Sequence, residues 1–299
     1  MKNTAVLFAM LLAVCTLSAQ TPIEGSGKVI AQYRELAAFT SVNNTSTIDV
    51  TILKNEKSSA EVSADNNLIG FVLTEVKDGV LTISMKQGVS YNNPHITVTI
   101  YTPHLNEVIM KGTGNVTILS LKEDRFTAIC KGTGNFKCDC LLAKDLILQN
   151  SGTGNMDVSY MSQNSVTIQN SGTGNMNISM LQNATSSMKV QNIGTGNITL
   201  KKLSVGDLQV KNQGTGKITL SGKADKMTLV NNGAGNVQAN KLVVKNAHVI
   251  QNGVGDLTAY VTEKAYLTHK NKLGNVKITG GGEVVMEMSI EELKDFLKE

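Results

Sequence analysis

The chain has 299 residues, of which 17% are charged and 4% aromatic, with no tryptophan, three prolines and 27 glycines. This composition is typical of a regular structure rich in small polar residues and excludes an intrinsically disordered chain. The formal net charge of +4 comes from scattered lysines and two arginines without a basic stripe, so the sequence predicts no nucleic-acid binding.

Residues 1–19 carry the features of a signal peptide. Lys2 supplies the positive charge, and an apolar run extends from Ala5 to Val14. Cys15 offers an alternative as a lipoprotein anchor, although valine is a poor residue before such a cysteine. The signal peptide predicts export. No stretch is long enough to cross a membrane as a helix, so we expect the exported protein to be associated with the cell surface and outer membrane or located in the periplasm.

Residues 20–104 are expected to form a β region that is continuous with the rest of the fold and caps its first end. Such a cap is needed because an open strand edge exposes unpaired N–H and C=O groups. Period-two alternation between turn residues predicts six strands: Lys28–Leu36, Thr47–Lys54, Ser58–Ala64, Phe71–Val76, Val80–Lys86 and His95–Tyr101.

A glycine-rich turn recurs through residues 105–282. It reads Gly-Thr-Gly-Asn five times and then drifts, and its first glycines lie 20, 20, 20, 22, 20, 19 and 20 residues apart. The copies occupy 112–115, 132–135, 152–155, 172–175, 194–197, 214–217, 233–236 and 253–256, with a shortened copy at 273–275. A constant period near 20 residues indicates a solenoid.

Apolar residues form columns when the copies are aligned on this turn. Two columns follow the turn, from Val116 to Val276 and from Ile118 to Ile278, and two similar columns precede it. In a parallel β-helix each coil lies about 4.8 Å from the last, so inward side chains stack on their equivalents. The sequence therefore predicts an all-β parallel β-helix of about nine coils.

The turn residues have a predicted structural role. We expect the corner to require positive φ values, which glycine adopts freely and asparagine tolerates best among the others. A second polar column, two residues before the first glycine, is predicted to be an inward ladder of amides that bond along the rod and to the turn backbone. A ligand groove is the less favoured alternative for this column: Asn150, Asn170, Asn192, Asn212 and Asn231.

Three cysteines fall on one coil. Alternation places Cys130, Cys138 and Cys140 inward, and no histidine lies nearby in the sequence to complete a zinc site. They are interpreted as small core residues or, alternatively, as one disulfide that joins Cys130 to Cys138 or Cys140.

Residues 283–299 are predicted to close the second end with a strand and a short helix. Ser289 is a suitable N-cap, Glu292 completes a capping box, and an apolar stripe follows at helical spacing. We expect the helix over 289–299 to cover the last coil, and oligomerisation through it is the alternative.

Several segments are similar in order and spacing to a known family. They are Gly25-Ser26-Gly27-Lys28-Val29, Phe39-Thr40-Ser41-Val42, Thr74-Glu75-Val76-Lys77-Asp78-Gly79, Leu81-Thr82-Ile83 and the repeated turns. Over roughly 25–280 the chain resembles the auto-transporter adhesin head GIN domain, a domain of unknown function common in secreted Bacteroidetes proteins. The resemblance implies a right-handed parallel β-helix with a role in adhesion and without a recognised catalytic site.

No catalytic, cofactor or metal site is predicted. Asp139 and Asp157, beside Asn177, come nearest to a cation site or to the carboxylate pair of a glycosidase, but a solvated face explains them better. The four histidines have no Ser or Cys partner pattern: His95, His104, His248 and His269.

We therefore expect a non-enzymatic, exported β-solenoid that serves as an adhesion or binding module, with a glycan or an envelope protein as its partner. The outward polar column after the turns, from Thr117 to Lys277, is the predicted contact surface, although solvation alone also explains it. A periplasmic structural scaffold is the alternative function, and a polysaccharide-active enzyme ranks third.

Overall fold

The computed structural model describes residues 21–92, 95–159, 161–162, 164–179, 185–269 and 273–286. The predicted signal peptide over 1–19 and the predicted helix over 289–299 lie outside these residues. The described residues form strands and one 3-10 turn, Ile69–Phe71, and contain no α-helix. The all-β solenoid is confirmed, whereas the helical part of the prediction has no support.

The strands follow the alternation of apolar and polar residues on both sides of each turn. The six strands predicted in the N-terminal region are present within two residues of their predicted bounds. The complete set is β1 Ile23–Glu24, β2 Val29–Glu35, β3 Ser41–Asn44, β4 Asp49–Lys54, β5 Ser59–Asp65, β6 Val72–Lys77, β7 Val80–Met85, β8 Tyr91–Asn92, β9 Ile96–Thr102, β10 Glu107–Met110, β11 Val116–Cys130, β12 Phe136–Asn150, β13 Met156–Val158, β14 Met161–Ser162, β15 Ser165–Asn170, β16 Met176–Ser179, β17 Thr185–Asn192, β18 Ile198–Asn212, β19 Ile218–Asn231, β20 Val237–Gln251, β21 Leu257–His269, β22 Val276–Thr279 and β23 Glu283–Met286.

Successive coils pair in parallel at a nearly constant offset. Val116 pairs with Phe136, and Thr127 pairs with Ile147. β11, β12, β18 and β20 are each 15 residues long and fill the whole path between two glycine turns. The segment between the apolar columns that follow one turn and those that precede the next is therefore part of the strand. The result is a β-solenoid of about eight turns, which ends in the short strands β22 and β23.

The coils that carry the glycine turns have three sides, as β11 shows. Successive side chains of a strand point to opposite faces, so two neighbouring residues that both avoid the core mark a bend. In β11 these pairs are Leu119–Ser120 and Asp124–Arg125. They separate three faces, which we call the post-turn face (116–118 in this coil), the middle face (120–123) and the pre-turn face (126–130).

The core lies between these faces and consists of the predicted apolar columns. From Val116 to Leu257 the first post-turn column is buried, whereas Val276 and Ile278 remain half-buried because no described coil covers them. The middle face adds a column that the sequence analysis missed, which includes Leu121, Leu141, Leu203 and Leu242.

In the N-terminal region the spatial order of strands differs from their order in the chain. β3 and β4 form a coil that pairs in parallel with β10 and β11, so one coil of the stack comes from the region before residue 105. β7 and β9 pair in parallel with the other side of that coil. Antiparallel strands end the stack, with β6 on β7, β5 on β9 and β2 on β5.

Two charged side chains hold these outer strands. The buried Asp65 carboxylate accepts the backbone N–H groups of Gly27 at 2.8 Å and His95 at 3.0 Å. The bond from His95 is the main reason that the pKa of Asp65 is lowered. Arg34 on β2 donates to the carbonyl of Val72 at 2.7 Å, and burial lowers the pKa of this guanidinium.

Candidate functional site

The glycine turns stack so closely that no side chain fits between them. A Cβ on Gly154 would overlap the carbonyl oxygen of Gly134 and lie 2.7 Å from its carbonyl carbon. None of the turn glycines has a positive φ; the glycines that do are Gly27, Gly79, Gly88, Gly222, Gly280 and Gly281. The expected reason for glycine was therefore wrong, since it is the approach of the neighbouring backbone that requires it.

The asparagine that ends each turn forms an outer ladder along the rod. The side-chain oxygen of Asn115 accepts the backbone N–H of Asn135 at 2.9 Å, and that of Asn135 accepts the N–H of Asn155 at 2.9 Å. Asp49 begins the ladder by accepting from Asn115. The Lys217 side chain cannot accept the backbone N–H of the next turn, because an ammonium group has no acceptor atom. Asparagine is thus favoured here by its acceptor and not by a positive φ.

The predicted inner column is buried and bonds mainly to the turn backbone. Asn150 donates to the Gly154 carbonyl of its own turn at 2.9 Å, whereas Asn212 donates to the Gly235 carbonyl of the next turn at 2.9 Å. Within the described residues, the bond from Asn212 to Asn231, at 3.2 Å, is the one direct amide contact of this column. These bonds satisfy turn carbonyl groups, so the column has a structural role.

The outward polar column of the post-turn face is continuous. Lys137 pairs with Asp157, Asp157 with Asn177, and the column continues through Thr199, Thr219, Gln238 and Thr258 to Lys277. The Asp157 carboxylate accepts from the Asn177 amide at 2.9 Å, and Asp139 forms an ion pair with Lys137 at 3.1 Å. The two acids therefore have separate partners, and the structure does not join them as a catalytic pair.

The three cysteines are free thiols. Cys130 and Cys138 are fully buried, and burial raises the pKa of each to about 12. Cys140 is only half-buried because it lies at the bend between the post-turn and middle faces, so its predicted inward direction was wrong. Cys130 and Cys138 are core residues, and their raised pKa values are the opposite of the lowered pKa of a reactive thiol.

The histidines lie apart. His95 contacts Asp65 at 3.5 Å, His104 contacts Glu123 at 3.4 Å, and the His248 ring is buried, which lowers its pKa. The side chain of His269 falls outside the described part of the chain. Among the residues described, no three His, Cys, Asp or Glu side chains gather as metal ligands.

A cleft of about 990 Å³, which we call the step cleft, lies beside the middle face of the first three-sided coil. It exists because the preceding coil, β3–β4, has no middle face: the chain turns back after Lys54 into β5. β4 pairs with β11 only over residues 116–118. The lining residues are Thr40, Lys54, His104, Asn106, Lys122, Glu123, Asp124, Arg125, Leu142, Ala143, Lys144 and Asn164.

Most charged groups of the step cleft have partners. Lys144 pairs with Asp124 at 2.8 Å, and Glu123 accepts the backbone N–H of Leu105 at 3.3 Å. The sequence analysis missed this cleft. Its signal was the run Lys122-Glu123-Asp124-Arg125, the one place in the sequence with four consecutive charged residues.

Similar proteins share both the sequence pattern and the fold. The family model described as "Putative auto-transporter adhesin, head GIN domain" matches residues 38–192 and 184–282. No curated protein matches the chain in sequence. Within the described ranges, no helix has the length and apolar character needed to cross a membrane.

Three solved structures show the same fold. A putative adhesin from Bacteroides fragilis is 17% identical, with a TM-score of 0.58 over 89% of this chain and 100% of that one. A putative adhesin from Parabacteroides merdae is 19% identical, with a TM-score of 0.58 over 89% and 99%. A putative lipid binding protein from Parabacteroides distasonis is 14% identical, with a TM-score of 0.61 over 89% and 100%.

At these identities the structures establish the fold alone, whereas the family model covers more than half of the sequence. Its two matches span the glycine turns and the columns described above. The chain therefore belongs to the auto-transporter adhesin head GIN domain family.

Proposed function

We propose that the protein is an exported, non-enzymatic binding module that acts in adhesion at the cell surface. The observation that carries this proposal is the continuous polar column of the post-turn face, whose members are held in register from Thr117 to Lys277. A surface that repeats once per coil, at about 4.8 Å, suits a partner that also repeats, such as a glycan.

Three further observations support this function. The family is described in terms of adhesion. The outward acids Asp139 and Asp157 have separate partners, which argues against glycoside hydrolysis by a carboxylate pair. The backbone stack of the turns makes a rigid rod, so the outward side chains are presented without the entropy cost of ordering a loop.

Protease treatment of intact cells tests the proposal. We expect the protein to be degraded while a periplasmic marker survives, and the purified rod to bind at least one member of a panel of bacterial and mucin glycans. Protection until the outer membrane is broken would contradict a role in adhesion and would favour the periplasmic scaffold.

A further inference from the structure

We propose that the step cleft binds an acidic oligosaccharide, whose carboxylate groups contact Lys54 and Lys122. This inference rests on the proposed binding function and names both its site and its ligand class. The cleft differs from the polar column in that it is concave and occurs at one place, where the middle face begins.

The charge of the cleft selects for an anion. Its described lining residues include four cationic side chains (Lys54, Lys122, Arg125 and Lys144) and two carboxylates. Lys144 is neutralised by Asp124, and Arg125 lies 3.6 Å from an oxygen of Asp145, which is outside the lining. In the part of the chain that the structure describes, Lys54 and Lys122 have no ion pair. Both are exposed, so an anion reaches them without displacing a protein partner.

The remaining lining groups suit sugar hydroxyls. Thr40, Asn106 and Asn164 bring a hydroxyl and two amides, which both donate and accept as sugar hydroxyls do. Among the described lining residues, Leu142 and Ala143 are the apolar ones, which offers little apolar surface for the anchoring side chain of a peptide. The described lining residues include no aromatic ring to stack on a neutral sugar, so we expect the ligand's charge to supply much of the affinity.

A calorimetric titration of the purified chain tests this assignment. The probes are an oligogalacturonate and its fully methyl-esterified form, which has the same backbone without the charge. We expect the first to bind and the second to bind at least roughly tenfold more weakly, because charge-assisted contacts to the lysines are lost. Raising the salt concentration should weaken binding of the first probe, since both lysines are exposed.

The double variant Lys54→Gln/Lys122→Gln should weaken oligogalacturonate binding by roughly tenfold or more. The matched control is Lys201→Gln/Lys211→Gln, which removes the same charge from exposed positions outside the cleft and should change the dissociation constant by less than twofold. Circular dichroism and the unfolding midpoint confirm that both variants fold, which is expected because all four side chains are exposed.

Four outcomes would overturn the assignment: no binding of oligogalacturonate, equal binding of the esterified form, equal losses in the two double variants, or tighter binding of poly-glutamate or of anionic lipid vesicles. The test separates this inference from the proposed function. If the protein is exposed at the cell surface and binds mucin or another glycan independently of Lys54 and Lys122, the proposed cleft site is wrong. The proposed function in adhesion is not contradicted by that result.

Discussion

The repeating coils and the N-terminal strands stack at the same sheet spacing, but they keep their register by different means. In the coils, each glycine turn lies directly on the previous one. The outer asparagine ladder repeats the same bond at nearly every level, and each asparagine of the inner column donates to a turn carbonyl. In the N-terminal region, antiparallel strands end the stack, and single charged side chains such as Asp65 and Arg34 hold them.

This difference has a consequence for how each region tolerates change. The coils accept drift wherever a side chain points outward, as the change from Thr153 to Val254 within the turn shows, but not at the stacked glycines. The N-terminal strands depend on contacts that occur once, so losing one of them should loosen that region alone. Four changes, taken in order of decreasing expected effect, separate these two behaviours.

Gly154→Ala should be the most damaging single change. Its Cβ would overlap the backbone of Gly134, and neither turn can move without disturbing its own neighbours. We expect a loss of about 3 kcal/mol in the free energy of unfolding, measured by urea denaturation. The control is Gly70→Ala, where a Cβ would meet nothing within 4 Å. Equal losses at the two positions would contradict the stacking explanation.

Asn212→Ala should come next. It removes the buried donor to the Gly235 carbonyl and to Asn231, and a buried carbonyl that loses its partner costs about 1–3 kcal/mol. Asn135→Ala in the exposed outer ladder should cost less than half as much, because water replaces its bonds. The same urea measurement compares the two, and a larger effect at Asn135 would show that the inner column is not the stronger ladder.

Acid should loosen the N-terminal strands before the coils. The lowered pKa of Asp65 means that its carboxylate stabilises the fold above the usual value of 3.8, and this contribution is lost as the pH falls through the lowered pKa. Hydrogen exchange, corrected for intrinsic rates, should show β2 losing protection as the pH falls below 3.8 while β18 keeps it. Asp65→Asn should weaken β2 at neutral pH as well, and the exposed Glu75→Gln should not. Loss of protection in β2 and β18 at the same pH would contradict the idea that the two regions are stabilised separately.

Lys217→Asn should give a small gain. Lys217 interrupts the outer ladder, because its N–H donates to Asn197 but its side chain offers no acceptor to the next turn. An asparagine there should add about 0.5–1.5 kcal/mol to the free energy of unfolding. Lys217→Ala removes the charge without adding an acceptor, so it should show no gain. If Lys217→Ala raised the free energy of unfolding as much as Lys217→Asn, the gain would come from removing the charge and not from completing the ladder.

Much of the solenoid could be predicted because its contacts repeat at one offset. A period near 20 residues identifies which residues stack, so the spacing alone is enough to assign Phe136 and Leu146 to their columns. The same periodicity did not reveal the middle face. At each bend two outward residues occur together, which shifts the alternation and hides the column that begins with Leu121.

The amino-acid pattern was enough for the all-β class, the coil length, the inward columns and the inner asparagine column, because each follows from a residue stacking on its own equivalent. The outer asparagine ladder was not predicted, since its asparagines had been explained by a positive φ. Only the folded structure shows the features that depend on pairing between strands that are not equivalent copies of the repeat. β3 pairs with β10 although β4 to β9 lie between them in the chain, and this arrangement leaves the coil that ends at Lys54 without a middle face. The step cleft and the true reason for the turn glycines both follow from how close neighbouring backbones come, and a periodic pattern carries no information about that distance.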